Sequence, residues 1–308
     1  MSCLPKGTWS IGLSKTLKNT PQKVKLQGKS YVMYRKQDNH VVLMDNVCPH
    51  RGADLSSGQV VNDCIRCPYH GWEFDSTGSL TRVPSSTNKP PKCPKLKSHT
   101  IVENGGFIWA VDGTMPVDYC DELVDPTWKH LYGSKIVEGN VTEWLMNESD
   151  ISHINFVHDF ADEDNSVVND IKIVIEENYI DCFAVVQPKA INSLTQHMQP
   201  TSSTGSCVQT RFIASSTAVV RIKLSEPYEF ITYTNVTPID ERHTLMTWCI
   251  MYQPNSVMNL PFVDAILNHE MYKTIAQDES IIKNITPLKE YNINVAADKF
   301  QLRCMFLD

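Results

Sequence analysis

The stretch CPHRGADLSSGQVVNDCIRCPYHGWEF, residues 48–74, carries two Cys–His pairs sixteen residues apart: Cys48 with His50, and Cys67 with His70. A further thiol, Cys64, lies between them. Proline and glycine flank each pair, Pro49 and Gly52 in one and Pro68 and Gly71 in the other, which is the composition of a tight turn. Two such loops facing each other enclose a four-ligand site. Two ligand sets are open. Cys64 with Cys67 reads as a C-x-x-C knuckle that would make a zinc ribbon with Cys48 and either His70 or His50. Cys48, His50, Cys67 and His70 instead put one thiolate and one imidazole on each loop, which suits two bridged irons, one taking both thiolates and the other both imidazoles.

The surrounding chain is of globular composition: 308 residues, 42% apolar, 20% charged, formal net charge −7. That length accommodates two domains whose cores need no disulfide staples. The acidic balance argues against nucleic-acid or anionic-membrane partners. MSCLPKGTWSIGL at the start has no apolar core of signal-peptide length, and no run approaches about 18 apolar residues. The expectation is a cytoplasmic chain without a membrane span. Its ten cysteines then read as thiols and ligands, and the N-x-[ST] matches at Asn140, Asn147 and Asn235 as chance.

The pattern predicts an α+β protein of two domains. Residues 8–113 read as a small all-β domain, with a hairpin in YVMYRKQDNHVVLM (31–44), a loop in PSSTNKPPKCP (84–94) and a strand in GGFIWAV (105–111). DGTMPVDYCDELVDP (112–126) reads as a linker. Residues 114–308 form the second domain, with residues 1–7 expected beside it. There VTEWLMNESDISHINF (141–156) has apolar residues at helical spacing, and β-rich segments run from 171 to 252, the last two joined at PIDERH (238–243). Residues 260–285 make a long amphipathic helix with Pro261 in its first turn.

A second cluster of chemistry lies in NESDISHINFVHDF, 147–160. Asp150 and His153, three apart, share a face of a helix. His153 and His158, five apart, stand roughly 140° apart on a regular helix and meet one metal only if the helix ends or distorts between them. Asn155 is a candidate for that break. Taken by themselves, two histidines near aromatic residues read as packing residues.

CPHRGADLSSG followed by CPYHGWEFD resembles the Rieske cluster motif in spacing, prolines, glycines and the Trp72 after the second histidine. The resemblance implies a [2Fe-2S] cluster with Cys48 and Cys67 on one iron, His50 and His70 on the other, and Cys64 as a bystander. With that motif upstream, the second cluster looks like the mononuclear iron site of the Rieske non-heme iron oxygenases, a Fe(II) held by two histidines and one carboxylate with positions left for O2. The implied ligands are His153, His158 and Asp278. TIAQDESII (274–282) resembles the family segment that completes the triad; Asp264, Glu270 and Glu279 are the other acids of that helix, Glu279 the runner-up and His269 the outsider. Asp150 corresponds to a carboxylate that holds His153 and accepts a bond from the second Rieske histidine, His70, of a neighbouring subunit. That implies a homotrimer with Asp150 as the inter-subunit electron bridge. Asn147 is a further supporting residue.

WSIGLSKTL near the start, PIDER and the closing DKFQLRCMFL resemble pieces of the single-component-type monooxygenase α subunits, among them O-demethylases and alkaloid hydroxylases. The resemblance implies a helix-grip catalytic domain and an oxidoreductase, a mono- or dioxygenase, that hydroxylates or demethylates a small organic substrate with O2 and two electrons. No G-x-G-x-x-G occurs, so NAD(P)H is expected to act only through a separate reductase with a flavin or ferredoxin. Substrate-binding candidates are Phe156 and Phe160. Strand alternation adds either Ile231, Tyr233 and Asn235 or Phe230, Thr232 and Thr234, Tyr233 and Asn235 being carried forward, and Gln187, Gln196, His197 and Gln199 offer polar contacts. The competing readings are a Rieske electron-transfer protein without oxygenase activity, and a zinc ribbon joined to a lipid-binding module.

Overall fold

The computed structural model describes residues 6–86, 89–112, 115–161, 163–165, 171–186, 189, 206–213, 216–224, 228–286 and 298. Gln187, Gln196, His197, Gln199 and most of DKFQLRCMFL lie outside the described residues. The chain divides into two compact units, Met1–Met115 with Thr237–Glu241, and Pro116–Val236 with Arg242–Asp308.

The first unit is all β. Its strands are β1 (Gly7–Leu13), β2 (Gln22–Leu26), β3 (Lys29–Arg35), β4 (Val41–Asp45), β5 (Gln59–Val61), β6 (Cys64–Arg66), β7 (Glu73–Phe74), β8 (Leu80–Arg82), β9 (Ile101–Asn104) and β10 (Phe107–Asp112). They form sheets of order β1-β10-β9, β2-β3-β4 and β5-β6-β7-β8. The β3–β4 hairpin explains how the unit holds together. Side chains alternate across a strand, and here both faces are buried. Tyr31, Met33 and Leu43 join a core with Trp9 and Ile108. Val32, Tyr34, Val42 and Met44 join another with Ile65, Phe74 and the two cysteines Cys48 and Cys67. The two Cys–His loops are therefore rooted in a core by their own thiols. Gly7 pairs with Asp112, which places the start of β1 in this unit; residues 1–5 are outside the described set.

The second unit is built on one seven-stranded sheet of β11 (Lys129–Glu138), β12 (Lys172–Ile175), β13 (Tyr179–Val186), β14 (Ser206–Ile213), β15 (Thr217–Lys223), β16 (Glu229–Pro238) and β17 (His243–Tyr252), in the order β11-β17-β16-β15-β14-β13-β12. Among the described residues three helices accompany it: α1 (Val141–Glu148), α2 (Ile154–Val157) and α3 (Val263–Ile282). Trp144 of α1, Trp248 and Ile250 of β17, and Ile275 and Ile282 of α3 share one core. Gly133 faces Trp248 across the β11–β17 ladder, and a Cβ there would stand 2.3 Å from the indole, so only glycine fits. The sheet wraps a long helix, the helix-grip arrangement expected. The linker folds into two 3-10 turns, Pro116–Tyr119 and Asp121–Leu123, with Val117 and Leu123 buried. No helix among the described residues is long and apolar enough to cross a membrane.

Two helix expectations change. The helical run predicted over 141–156 is broken. A capping box of Asn140 and Glu143 starts α1. The Ser149 hydroxyl then bonds back to the carbonyls of Leu145 and Met146, competing with the helical backbone bonds. Asp150 follows with an Asx turn, its Oδ1 accepting from the Ser152 amide at 2.8 Å and hydroxyl at 2.6 Å. The break thus precedes Asn155. Pro261 stands before α3, whose first helical residue is Val263.

Candidate functional site

The loop after β4 and the loop after β6 are built alike. The Cys48 carbonyl accepts from the Gly52 amide at 2.9 Å, and the Cys67 carbonyl from the Gly71 amide at 3.1 Å. The Cys48 amide donates to the Ala53 carbonyl at 2.9 Å, and the Cys67 amide to the Trp72 carbonyl at 2.8 Å. Gly52 (φ +76°) and Gly71 (φ +69°) close the turns in the left-handed region, where a Cβ is disfavoured. Both cysteines are buried, and burial together with the adjacent Cys67 thiol pushes the Cys48 thiol up to about 11. The His50 and His70 rings lie 4.6 Å apart between centroids, and His50 stacks on Trp72 at 4.2 Å and 5°. Cys64 is half-buried on β6, beside the Thr81 hydroxyl.

Do these residues fit a metal group? The buried His50 Nδ1 has no hydrogen-bond partner, as a ligand atom awaiting a metal would. Among the described residues, ligand atoms of three or more His, Cys, Asp or Glu come within 4.8 Å of one another only at His153, His158 and Asp278. Tetrahedral zinc holds its ligands roughly 3.5 Å apart. The loop residues instead set thiol beside thiol and imidazole beside imidazole. That separation fits a two-iron cluster with a sulfur end and a nitrogen end.

The second centre uses the break after α1. His153 is the N-cap of α2 and His158 its C-cap, so the two imidazoles flank one helical turn rather than spreading around a continuous helix. Their Nε2 atoms lie 3.2 Å apart. Asp278 reaches in from α3, its Oδ1 3.4 Å from His153 Nε2 and 3.3 Å from His158 Nε2. Each Nδ1 faces an acceptor: the Asp150 main-chain carbonyl at 2.6 Å for His153, the Gln277 Oε1 at 3.1 Å for His158. Assigning the ring protons to those Nδ1 atoms leaves both Nε2 lone pairs pointing at each other and at a carboxylate. Three acceptors at this range repel unless a cation lies between them. Adjacent ligands of an octahedral ion with ~2.1 Å bonds are about 3 Å apart, so the triangle fits one metal. The electrostatics agree. Burial disfavours charge on both groups, yet Asp278 holds His153 above its ordinary value, and the two histidines hold Asp278 below the usual carboxylate range.

Asn147 Nδ2 donates to Asp278 Oδ1 at 3.3 Å. Gln277, which donates in turn to Asp159 Oδ1 at 3.1 Å, was not singled out by the sequence reading, although its place next to Asp278 puts it on the same helical turn. Two other acids of α3 are otherwise engaged. Glu279 pairs with Lys135 and the Glu138 amide, and Asp264 with Lys129 and the Tyr252 hydroxyl. His269 is exposed. Asp150 departs from expectation. Its residue lies in the turn between helices, and its main-chain carbonyl, not its carboxylate, holds His153.

The triad opens on a cavity of about 350 Å³ between the sheet and α3, walled by side chains such as Val208, Val220, Ile222, Leu267 and Met271. β16 contributes Phe230, Thr232 and Thr234. That is the opposite register from Tyr233 and Asn235. Tyr233 is fully buried elsewhere, and Asn235 is bonded to Thr217 and Thr247. Phe160 lines the cavity and stacks on His158 at 4.9 Å, whereas Phe156 is 64% exposed and does not line it. Glu148, the last residue of α1, lines the cavity as well; burial, then the nearby Asp278 carboxylate, raise its carboxyl to about 7. Nothing in the sequence pattern marked it.

A thiol–imidazole cage and a two-histidine, one-carboxylate cage within one chain define the class of Rieske oxygenase subunits. Residues 9–100 match the Rieske [2Fe-2S] domain and residues 140–305 the vanillate O-demethylase oxygenase C-terminal domain, and the chain belongs to that family. It is 32% identical over 143 residues to the 5,5'-dehydrodivanillate O-demethylase oxygenase subunit of a Sphingobium species, covering 44% of this chain and 34% of that protein. It is 31% identical over 166 residues to the dicamba O-demethylase oxygenase component of Stenotrophomonas maltophilia, covering 51% and 46%. The chain thus spans about a third to a half of the length of these curated relatives. The fold matches dicamba monooxygenase bound to dicamba (TM-score 0.81, 18% identity, 99% of this chain and 96% of that one) and Pseudomonas putida NdmA with caffeine (0.80, 20%, 97% and 88%).

Proposed function

We propose that this chain is the terminal component of a Rieske oxygenase that uses O2 and two electrons from a separate reductase to hydroxylate or demethylate a small organic molecule. The observation that carries the reading is the convergence of His153 Nε2, His158 Nε2 and Asp278 Oδ1 on the wall of an apolar cavity. Cys48, His50, Cys67 and His70 would hold the [2Fe-2S] cluster; His153, His158 and Asp278 would hold Fe(II). Iron at the second site supplies O2 activation, and the cluster supplies stored electrons. The residues around them do the rest. The Asp150 carbonyl and Gln277 fix the tautomer and aim of the two imidazoles, and Asn147 steadies the carboxylate. Phe160 and the aliphatic walls exclude water from the reacting group.

Asp150 retains the bridging role in this reading. Oδ1 takes both Ser152 bonds and Oδ2 has no partner among the described residues, while His70 is exposed. A closed head-to-tail homotrimer would bring a neighbour's exposed imidazole to that oxygen. Relatives named as O-demethylases favour demethylation, and the free cysteines among the described residues favour a cytoplasmic setting. The electron-carrier alternative leaves the triad without a task, and the zinc ribbon leaves the paired arrangement of the loop ligands without one.

The test is anaerobic iron reconstitution of the whole chain, EPR with and without dithionite, and O2 uptake with a generic reductase across a substrate panel. Two distinct iron environments and substrate-dependent uptake are expected. One zinc per colourless chain would overturn the reading, as would a cluster with no second iron.

A further inference from the structure

Resting on the oxygenase reading, we infer that the substrate is an organic cation, an apolar skeleton bearing a protonated amine or guanidinium whose charge Glu148 receives. The cavity walls are predominantly aliphatic and aromatic, and into them the end of α1 delivers a carboxylate. Glu148 has neither a hydrogen bond nor an ion pair among the described residues. The acid beside it, Asp278, is occupied by Asn147 and the two histidines. Glu270 of α3 lines the same cavity and has the Lys273 ammonium near it. Lys189, the one lysine or arginine among the lining residues, is solvent-exposed.

A neutral apolar guest would strip water from Glu148 and return nothing, and a carboxylate guest would add repulsion. A cation would pair with it and remove that penalty. The competing role, a further metal ligand, is not supported by geometry, because no Glu148 oxygen joins the atoms that converge at His153, His158 and Asp278. The apolar walls then measure the skeleton, and Glu148 orients its charged end relative to the triad.

The experiment uses the iron-loaded full chain and matched probe triples: a tertiary amine, its neutral ether and its carboxylate, each on benzyl, naphthylmethyl and fluorenylmethyl skeletons. Binding is read by calorimetry and thermal shift for wild type, Glu148→Gln, Glu148→Leu and Glu270→Gln, with iron content measured in parallel. In wild type at least one amine should bind about tenfold or more tighter than its ether and carboxylate partners. Glu148→Gln should abolish that preference at full iron content, Glu148→Leu should favour the ether, and Glu270→Gln should weaken the preference less. If no amine outbinds its partners, or the preference survives in Glu148→Gln, the inference is overturned. Loss of iron in Glu148→Gln would also overturn it, assigning Glu148 to the metal instead. Wild-type iron content separates the two failures, since a chain that takes up no second iron fails the oxygenase reading itself.

Discussion

The two proposed metal centres are built by opposite means. The cage of Cys48, His50, Cys67 and His70 is local in sequence, and each loop is set by two main-chain hydrogen bonds and one left-handed glycine. The centre of His153, His158 and Asp278 joins residues more than a hundred positions apart, and side chains orient most of it: Gln277 for His158, Asn147 for Asp278. A backbone-built site depends on turn chemistry, whereas a side-chain-built site depends on two elements arriving in register. The first is insensitive to most neighbouring substitutions and intolerant at its ligands and glycines. The second can be detuned by degrees.

The largest effect that could break this contrast is loss of a ligand. Cys48→Ala should abolish the cluster's visible absorbance and EPR signal while the second iron stays bound, and Asp278→Ala should do the reverse; simultaneous loss of both centres in either variant would show that they are not separately built. Next comes Gln277→Leu, which should weaken iron binding at the second centre by about 10- to 100-fold in chelator competition with an unchanged cluster spectrum. An unaltered affinity would mean that His158 is aimed by packing alone. Among the loop glycines, Gly71→Ala should destabilise by about 1–2 kcal/mol in denaturant unfolding. Gly52→Ala should cost less, because a Cβ at 71 meets Pro84 at 3.1 Å and one at 52 meets nothing within 4 Å. The smallest effect belongs to Phe156→Ala, within about 0.5 kcal/mol and without change in probe binding, whereas Phe160→Ala should alter binding measurably.

How far each centre could be read from residues follows the same division. The two Cys–His loops were legible because C-P-x and C-P-x-x near glycine describe turns whose hydrogen bonds close within five residues. The β3–β4 hairpin and α3 were legible from period. The helix break at Ser149–Ser152 was not, because a serine back-bond and an Asx turn compete with a helix whose apolar spacing continues through them. With the break unseen, Asp150 was given the wrong atom for holding His153. Strand alternation in β16 defined two sets of side chains but could not say which one α3 covers. The chosen pair, Tyr233 and Asn235, faces away from the cavity, while Phe230, Thr232 and Thr234 line it. Asp278 was reached through resemblance; the structure supplies the reason for preferring it, since Glu279 one residue on is turned to Lys135.

The shortness of α2 has a consequence for loading. Four residues make too little helix to persist by themselves, and both ends of this one are imidazoles that would bind the same ion. Binding would therefore clamp residues 150–158, and the free energy of uptake would be spent partly on ordering this segment. Amides of Phe156, Val157 and His158 should exchange with deuterium faster in iron-stripped protein than in the filled form. A chain that lacks only the second iron would thus keep its cluster domain firm and its reaction chamber slack at one wall.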